Sequence, residues 1–226
     1  MAWQEARRRD PLLESHMQEA IRRRGLELAG LALLALGVAL GAALASYSPD
    51  DPSWLVATGG PPENWLGRTG ATVAGPLMVT IGWGGFALVL CVLVLGLRLV
   101  LHLGEGRILR RLPAVPFFVV AVSVAASGHV PPASWSHDFG LGGLVGDTAL
   151  GVLITASPLA PGLTLKILTV LFSALAVALG IAALALDRAE LLRIGRFLLV
   201  GLVLSYAGLV ILGGRLLRGL GAVLGW

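Results

Sequence analysis

The chain has 226 residues, of which 56% are hydrophobic and only 13% charged, and its mean hydropathy is +0.85. Soluble domains carry about 25% charged residues, so a water-soluble fold hiding this much apolar side chain is excluded and a membrane protein is expected. A net charge of +4 and a pI of about 10.2 would point a soluble protein towards nucleic acid, but here the arginines flank apolar runs, which fits attraction to anionic headgroups.

Residues 1–24 are polar, with Arg7-Arg8-Arg9 and Arg22-Arg23-Arg24 set among Glu5, Asp10, Glu14 and Glu19. Leu13, Met17, Ala20 and Ile21 recur at helical spacing, which predicts a short interfacial helix. Positive charge beside a first span holds that end in the cytoplasm. Residues 26–46 form that span, long enough for a hydrocarbon core of about 30 Å and too long for a cleaved signal. Gly37, Gly41 and Ala45 stand four apart, a spacing that lets another helix approach closely.

The span stops at residues 46–54, Ser-Tyr-Ser-Pro-Asp-Asp-Pro-Ser-Trp. Pro49 and Pro52 cannot continue a helix, and Asp50 and Asp51 are disfavoured in hydrocarbon. Tyr47 and Trp54 settle at headgroup level. Ser48 to Trp54 therefore reads as an exit from the bilayer, with aromatic anchors and an acidic cap. Gly59-Gly60-Pro61-Pro62 is a turn. Residues 63–72, carrying Asn64-Trp65-Leu66-Gly67-Arg68 and Gly70, read as a short helix lying in the interface. Trp65 is a second membrane anchor.

A second span is predicted over 74–101, with a kink or tight helix contact at Gly82, Gly84 and Gly85 around Trp83. Arg98 snorkels to the cytoplasmic surface, and the loop 102–112 is basic. A third span follows over 113–130, with Pro113 and Pro116 near its start, where proline is tolerated. In the second external segment, Gly142-Gly143-Leu144-Val145-Gly146 leads an apolar stretch, 141–157, too short and too interrupted by Asp147 for a full crossing. It is predicted to be re-entrant or interfacial, with Asp147 as a solvated cap. The fourth span covers 163–186. The run 197–214 reads either as a fifth crossing or as a segment lying along the membrane. The second reading, slightly favoured, keeps Arg215 and Arg218 inside.

The element at 46–54, the Asn-Trp-Leu-Gly element at 64–67 and the Gly-Gly-x-x-Gly stretch at 142–146 together resemble the N-terminal four-helix membrane domain of the FtsK/SpoIIIE family of DNA translocases, over roughly residues 20–190. The resemblance implies an all-α, polytopic bundle of four transmembrane spans in the bacterial inner membrane. It also implies a role in tethering and oligomerising a DNA motor at the division septum. The partners implied are the lipid bilayer, other division-septum membrane proteins and further copies of the chain. DNA would be met only through a motor domain.

That motor is expected to lie outside this chain. A phosphate-cradling loop needs Gly-Lys-Ser/Thr, and the only lysine, Lys166, has no such loop before it. No cofactor, catalytic or metal-ligating set is expected. His129, His137 and Asp138 lack zinc spacing, and Ser123 and Ser127 beside His129 lack a nucleophile motif. Cys91 reads as a buried hydrophobe. The residues expected to matter are Ser48, Pro49, Asp50, Asp51, Pro52, Ser53, Trp54, Asn64, Trp65 and Gly67 for partner contact or anchoring, and Gly37, Gly41 and Ala45 for helix packing. The rival reading is a small transporter or channel, which requires inward polar residues on several helices. Only Thr80, Ser123, Thr169, Ser173 and Ser205 offer them.

Overall fold

In the computed structural model, residues 15–133, 135 and 137–223 are described. The chain divides into two units, 1–185 and 186–226. In the first, seven helices follow in order: α1 Ser15–Ala45, α2 Gly67–Ile81, α3 Gly84–Val100, α4 Glu105–Arg111, α5 Ala114–Ser127, α6 Gly143–Ala156 and α7 Pro161–Ala183. Four of them, α1, α3, α5 and α7, pack side by side in chain order, each beside the next, while α2 and α6 fold against one another and over the row. Three helical stretches are long and apolar enough to cross a membrane, Met17–Ala45, Pro161–Ala183 and Arg188–Val210, and the bent pair α2–α3 makes a fourth if it counts as one span. Residues 1–14, which carry the first arginine triplet, lie outside the described residues.

The contact between α1 and α3 is antiparallel and built on small residues. A Cβ added at Gly30 would stand 2.7 Å from the Gly96 carbonyl oxygen, and one at Gly37 2.7 Å from the Leu93 side chain. Gly41 faces Val89 and Gly85 faces Leu44. The backbones meet where side chains are missing, which is how helices associate when lipid competes for apolar surface. Of the three residues singled out for their spacing, Gly37 and Gly41 lie against α3 and Ala45 is exposed. Gly30, about two turns before Gly37, belongs to the same contact. On the other side, α5 carries the second core, where Phe118, Val119 and Ala121 meet Ala87, Cys91, Ala176 and Ala183.

The single span expected over 74–101 is broken. The chain turns through 118° between α2 and α3, and α2 begins at Gly67, absorbing the short interfacial helix expected at 63–72. Gly82 holds φ at 51°, a left-handed conformation open to glycine at little cost. Its α-carbon lies against the Leu141 carbonyl, where a side chain would collide. The backbone groups released by the break are taken up by the second loop and by α5. Trp83 donates its N–H to the Leu141 carbonyl at 2.8 Å, and Ser123 Oγ donates to the Ile81 carbonyl at 2.8 Å. The predicted kink was in the right place, but its size depends on partners distant in sequence, Ser123 and Leu141.

The other boundaries shift less. The third span is the 14-residue α5, about 21 Å long at 1.5 Å per residue. The re-entrant stretch is α6, and the fourth span is α7, three residues short of the predicted 186. The interfacial helix placed within 1–24 is, from Ser15 onward, the start of α1 itself. The second unit is one helix, α8 Arg188–Val223, longer than the 197–214 run. At its start Glu190 accepts the Asp187 N–H at 2.9 Å, one half of a capping box, and Asp187 accepts the Arg188 N–H at 2.7 Å. Phe197, Leu198, Leu199, Leu202, Val203 and Tyr206 are all exposed, so the middle of α8 is apolar all round, while Arg188, Glu190, Arg193 and Arg196 make its first turns polar.

Gly82→Val combines a forbidden φ with a collision against Leu141. Left-handed strain alone costs about 1–3 kcal/mol. The purified variant should lose several degrees of thermal stability in detergent, whereas Gly59→Val, at an open loop position, should lose none. Equal melting curves for the two would show that the α2–α3 break is not held as described.

Candidate functional site

The sequence elements singled out at 46–54 and 64–67 come together in space. They join the last turn of α1 to the first turn of α2. At the end of α1 the final carbonyls have no helical partner. The Asn64 side-chain amide donates to two of them, Ala43 at 2.8 Å and Ser46 at 3.3 Å. Ser46 Oγ donates to the Ala42 carbonyl at 2.7 Å and accepts the Trp65 N–H at 3.0 Å. Asp51 serves the other strand of the loop. One carboxylate oxygen accepts the Glu63 N–H at 2.7 Å and the other the Asn64 N–H at 3.1 Å.

Asp51 and Asn64 are each only 4% exposed. The acidic cap expected at Asp50-Asp51 is therefore half wrong: Asp50 is exposed, but Asp51 is buried and fully used by backbone donors. Buried carboxylates and amides occur where each polar atom has a partner. Gly67 completes the joint with φ at 63° and an N–H donated to Asn64 at 2.8 Å. Gly70, one turn on, leaves room for the Asn64 side chain.

Around this hidden staple the remaining motif residues divide. Ser48, Pro49 and Ser53 are half-buried and Pro52 is buried. Ser53 Oγ accepts the Leu55 N–H at 3.2 Å, and its side chain lies against Gly75 of α2. Trp54 and Trp65 are 85% and 74% exposed. With Thr58, Arg68 and Thr72, the Pro52–Trp54 stretch lines a cavity of about 420 Å³. The arrangement can present Trp54, Asp50 and Arg68 to a partner while the loop is held from beneath. Nothing in it resembles a nucleophile with a base, and no group of three or more metal-ligating side chains occurs among the described residues.

The second loop has its own latch, which the sequence reading missed. Asp147 is not a solvated cap. Its carboxylate accepts the Ser127 hydroxyl at 2.6 Å and the Gly140 N–H at 2.7 Å. Gly142 and Gly146 lie directly against the Ser123 carbonyl and Ser127. The signal available was Ser127 at the end of one apolar run and Asp147 at the start of the next, but no spacing rule links residues twenty apart.

His137, Trp135 and Phe139 form a ring cluster on Tyr47. His137 stacks on Phe139 at 5.0 Å between centroids, meets Trp135 edge-on at 4.4 Å and lies 5.3 Å from Tyr47. His129 is elsewhere, bonded at 2.9 Å to the Ala125 carbonyl, so the three loop residues considered for zinc do not converge. Burial, then the carboxylates of Asp51 and Asp50, push the Tyr47 hydroxyl above its ordinary value. Burial pulls His137 below its ordinary 6.5, against the opposing field of Asp138.

Two outcomes follow from these contacts. Removing Asp51 or Asn64 strands buried backbone groups at about 1–3 kcal/mol. Asp51→Ala and Asn64→Ala should each lower the melting temperature by roughly 5 °C, while Asp50→Ala leaves it unchanged; a drop as large in Asp50→Ala would contradict the assignment. For His137, a folded-state pKa below the unfolded one means that its neutral form is favoured by folding. That contribution is complete above about pH 6.5 and shrinks as pH falls below it. The melting temperature should therefore drop more between about pH 7.5 and pH 5 in the parent than in His137→Phe, which keeps the stack and cannot titrate. Parallel pH profiles would remove His137 as the cause.

Residues 22–193 match the family model described as the 4TM region of DNA translocase FtsK/SpoIIIE. Among curated relatives, a DNA translocase FtsK of Bradyrhizobium diazoefficiens is 38% identical over 135 residues, 60% of this chain and 16% of that protein. One from Agrobacterium fabrum is 38% identical over 157 residues, 66% and 17% of the two chains. One from Caulobacter vibrioides is 33% identical over 149 residues, 63% and 18%. The chain thus spans under a fifth of the length of these relatives, and no solved structure matches it. The match covers the membrane region of those proteins and includes both loops described above, and on it this chain belongs to the FtsK/SpoIIIE family through its 4TM membrane domain.

Proposed function

We propose that this chain is the membrane anchor of an FtsK-like DNA translocase, tethering and oligomerising it at the division septum, with the loop of residues 46–66 as the surface that meets other septal membrane proteins. The observation that carries the reading is the match over residues 22–193 to the 4TM region, joined to a loop whose exposed aromatic and charged residues stand on a buried hydrogen-bonded support. Oligomerisation is supported by a groove of about 190 Å³ between α1 and α2, lined by Leu36, Ala39, Leu40, Ala43, Leu66 and Val73, shallow and small-sided as helix-packing surfaces in lipid are.

The orientation proposed is cytoplasmic for the amino-terminal end, in a bacterial inner membrane. The antiparallel α1–α3 contact sets Arg22-Arg23-Arg24 and the Arg98–Arg111 stretch at one end of the bundle, and the loops 46–66 and 128–142 at the other. Arginines gathered at one end satisfy the positive-inside rule only if that end is cytoplasmic.

Fused to a fluorescent protein, the chain should gather at midcell in dividing cells. In a Cys91→Ser background, Asp50→Cys should react with an impermeant thiol reagent from outside, and Gly106→Cys only after permeabilisation. Even membrane fluorescence would remove the septal role. Labelling of both cysteines from one side would remove the topology.

A further inference from the structure

We infer that the basic end of the bundle holds a specific site for the headgroup of an anionic phospholipid, centred on α4, and that a lipid with two phosphates, of the cardiolipin class, fills it best. The inference needs only that the bundle sits in a bilayer, and neither the septal role nor a partner on the loop.

The arginine side chains of α4 do not simply fan into solvent. Arg107, Arg110 and Arg111 together line one cavity of about 270 Å³. Two local features shape it. Gly104, with φ at 68°, starts the helix, and the Arg107 guanidinium lies back over it, 3.1 Å from where a Cβ would stand. The Arg110 Nε donates to the Gly106 carbonyl at 3.1 Å, which turns that side chain along the helix rather than away from it.

The charge carried by this end of the bundle is one-sided. Residues 17–28 and 98–112 carry seven arginines against three glutamates. Two of those glutamates are paired away from α4: Glu19 with Arg23 at 3.4 Å, and Glu27 with Arg24 at 2.7 Å and His102 at 3.2 Å.

The apolar surroundings distinguish a lipid from a soluble phosphate. Leu109 is 78% exposed on the same short helix, and Leu101, Leu103, Leu112 and Phe117 are exposed beside it. Guanidiniums at headgroup depth with leucines and a phenylalanine next to them match both halves of a phospholipid. Arginines clustered beside membrane helices attract anionic headgroups. Guanidinium forks also bind phosphate oxygens in pairs, so three of them in one cavity suit two phosphates on one molecule better than one.

The test uses the whole chain in nanodiscs of phosphatidylcholine doped with cardiolipin or with phosphatidylglycerol, followed by native mass spectrometry of the released protein. The parent should retain one cardiolipin, and phosphatidylglycerol more weakly, and added inorganic phosphate should not displace either. With about 1 kcal/mol for each arginine near the surface, the Arg107→Gln/Arg110→Gln/Arg111→Gln variant should retain cardiolipin roughly a hundredfold less. The Arg22→Gln/Arg23→Gln/Arg24→Gln variant should match the parent. Should the α4 triple variant not fold, the exposed Arg110→Gln change, expected to weaken retention roughly fivefold, takes its place, with rescue by Arg110→Lys incomplete. Equal loss in both triple variants would mean diffuse attraction and overturn the site. So would displacement by phosphate, or a short DNA duplex that binds through α4 in place of cardiolipin.

Discussion

Where a membrane helix breaks, no water is at hand to meet the amide and carbonyl groups set free, so the protein must supply their partners. The turn from α2 to α3 is the place where this chain faces that demand, and most of its architecture can be traced to the answer. Leu141 takes the Trp83 N–H and Ser123 takes the Ile81 carbonyl. Both donors of help come from the second half of the bundle. The first helical hairpin is therefore closed chemically by the second, and α5 cannot move away from the end of α2 without leaving the Ile81 carbonyl without the Ser123 hydroxyl. The packing of Gly142 and Gly146 onto α5 follows from the same requirement, since Leu141 reaches the break only if α6 lies close against Ser123.

The two halves solve their loop problem in the same way. Each has a rising span, a helix folded across the end, and a descending span. Each crosswise helix begins with a left-handed glycine, Gly67 at 63° and Gly143 at 66°, whose N–H returns to the third residue before it, Asn64 or Gly140. Each is followed three residues on by a second glycine, Gly70 or Gly146, packed against the preceding segment. Each loop is gathered by one aspartate that accepts backbone N–H groups, Asp51 in the first and Asp147 in the second. The G-x-x-G spacing is the sequence trace of this shared device.

Reading the residues in order goes a long way here because hydrocarbon imposes strong and simple rules. Run length, arginine placement and proline stops were enough to find the apolar stretches that form α1, α5, α7 and the short α6. What stayed hidden depends on partners distant in sequence. Asp50 and Asp51 look alike as neighbours, and only the position of Glu63 and Asn64 tells which is buried. Asp147 looks like a surface charge until Ser127 is brought beside it. The large turn at Gly82 looks like a mild kink until Leu141 is seen to occupy the space that a straight helix would leave open. Gly30 escaped because its distance from Gly37 is seven residues, a repeat masked in a segment rich in alanine and leucine.

The loop of residues 46–66 separates what holds it from what it shows. Its side-chain hydrogen bonds come from Ser46, Asp51, Ser53, Thr58 and Asn64, while Asp50, Trp54 and Trp65 face outward without supporting the backbone through their side chains. Such a loop is modular: its displayed residues can be exchanged for others of different charge or size while the scaffold underneath stays intact. What the loop displays and how the bundle folds can then drift independently.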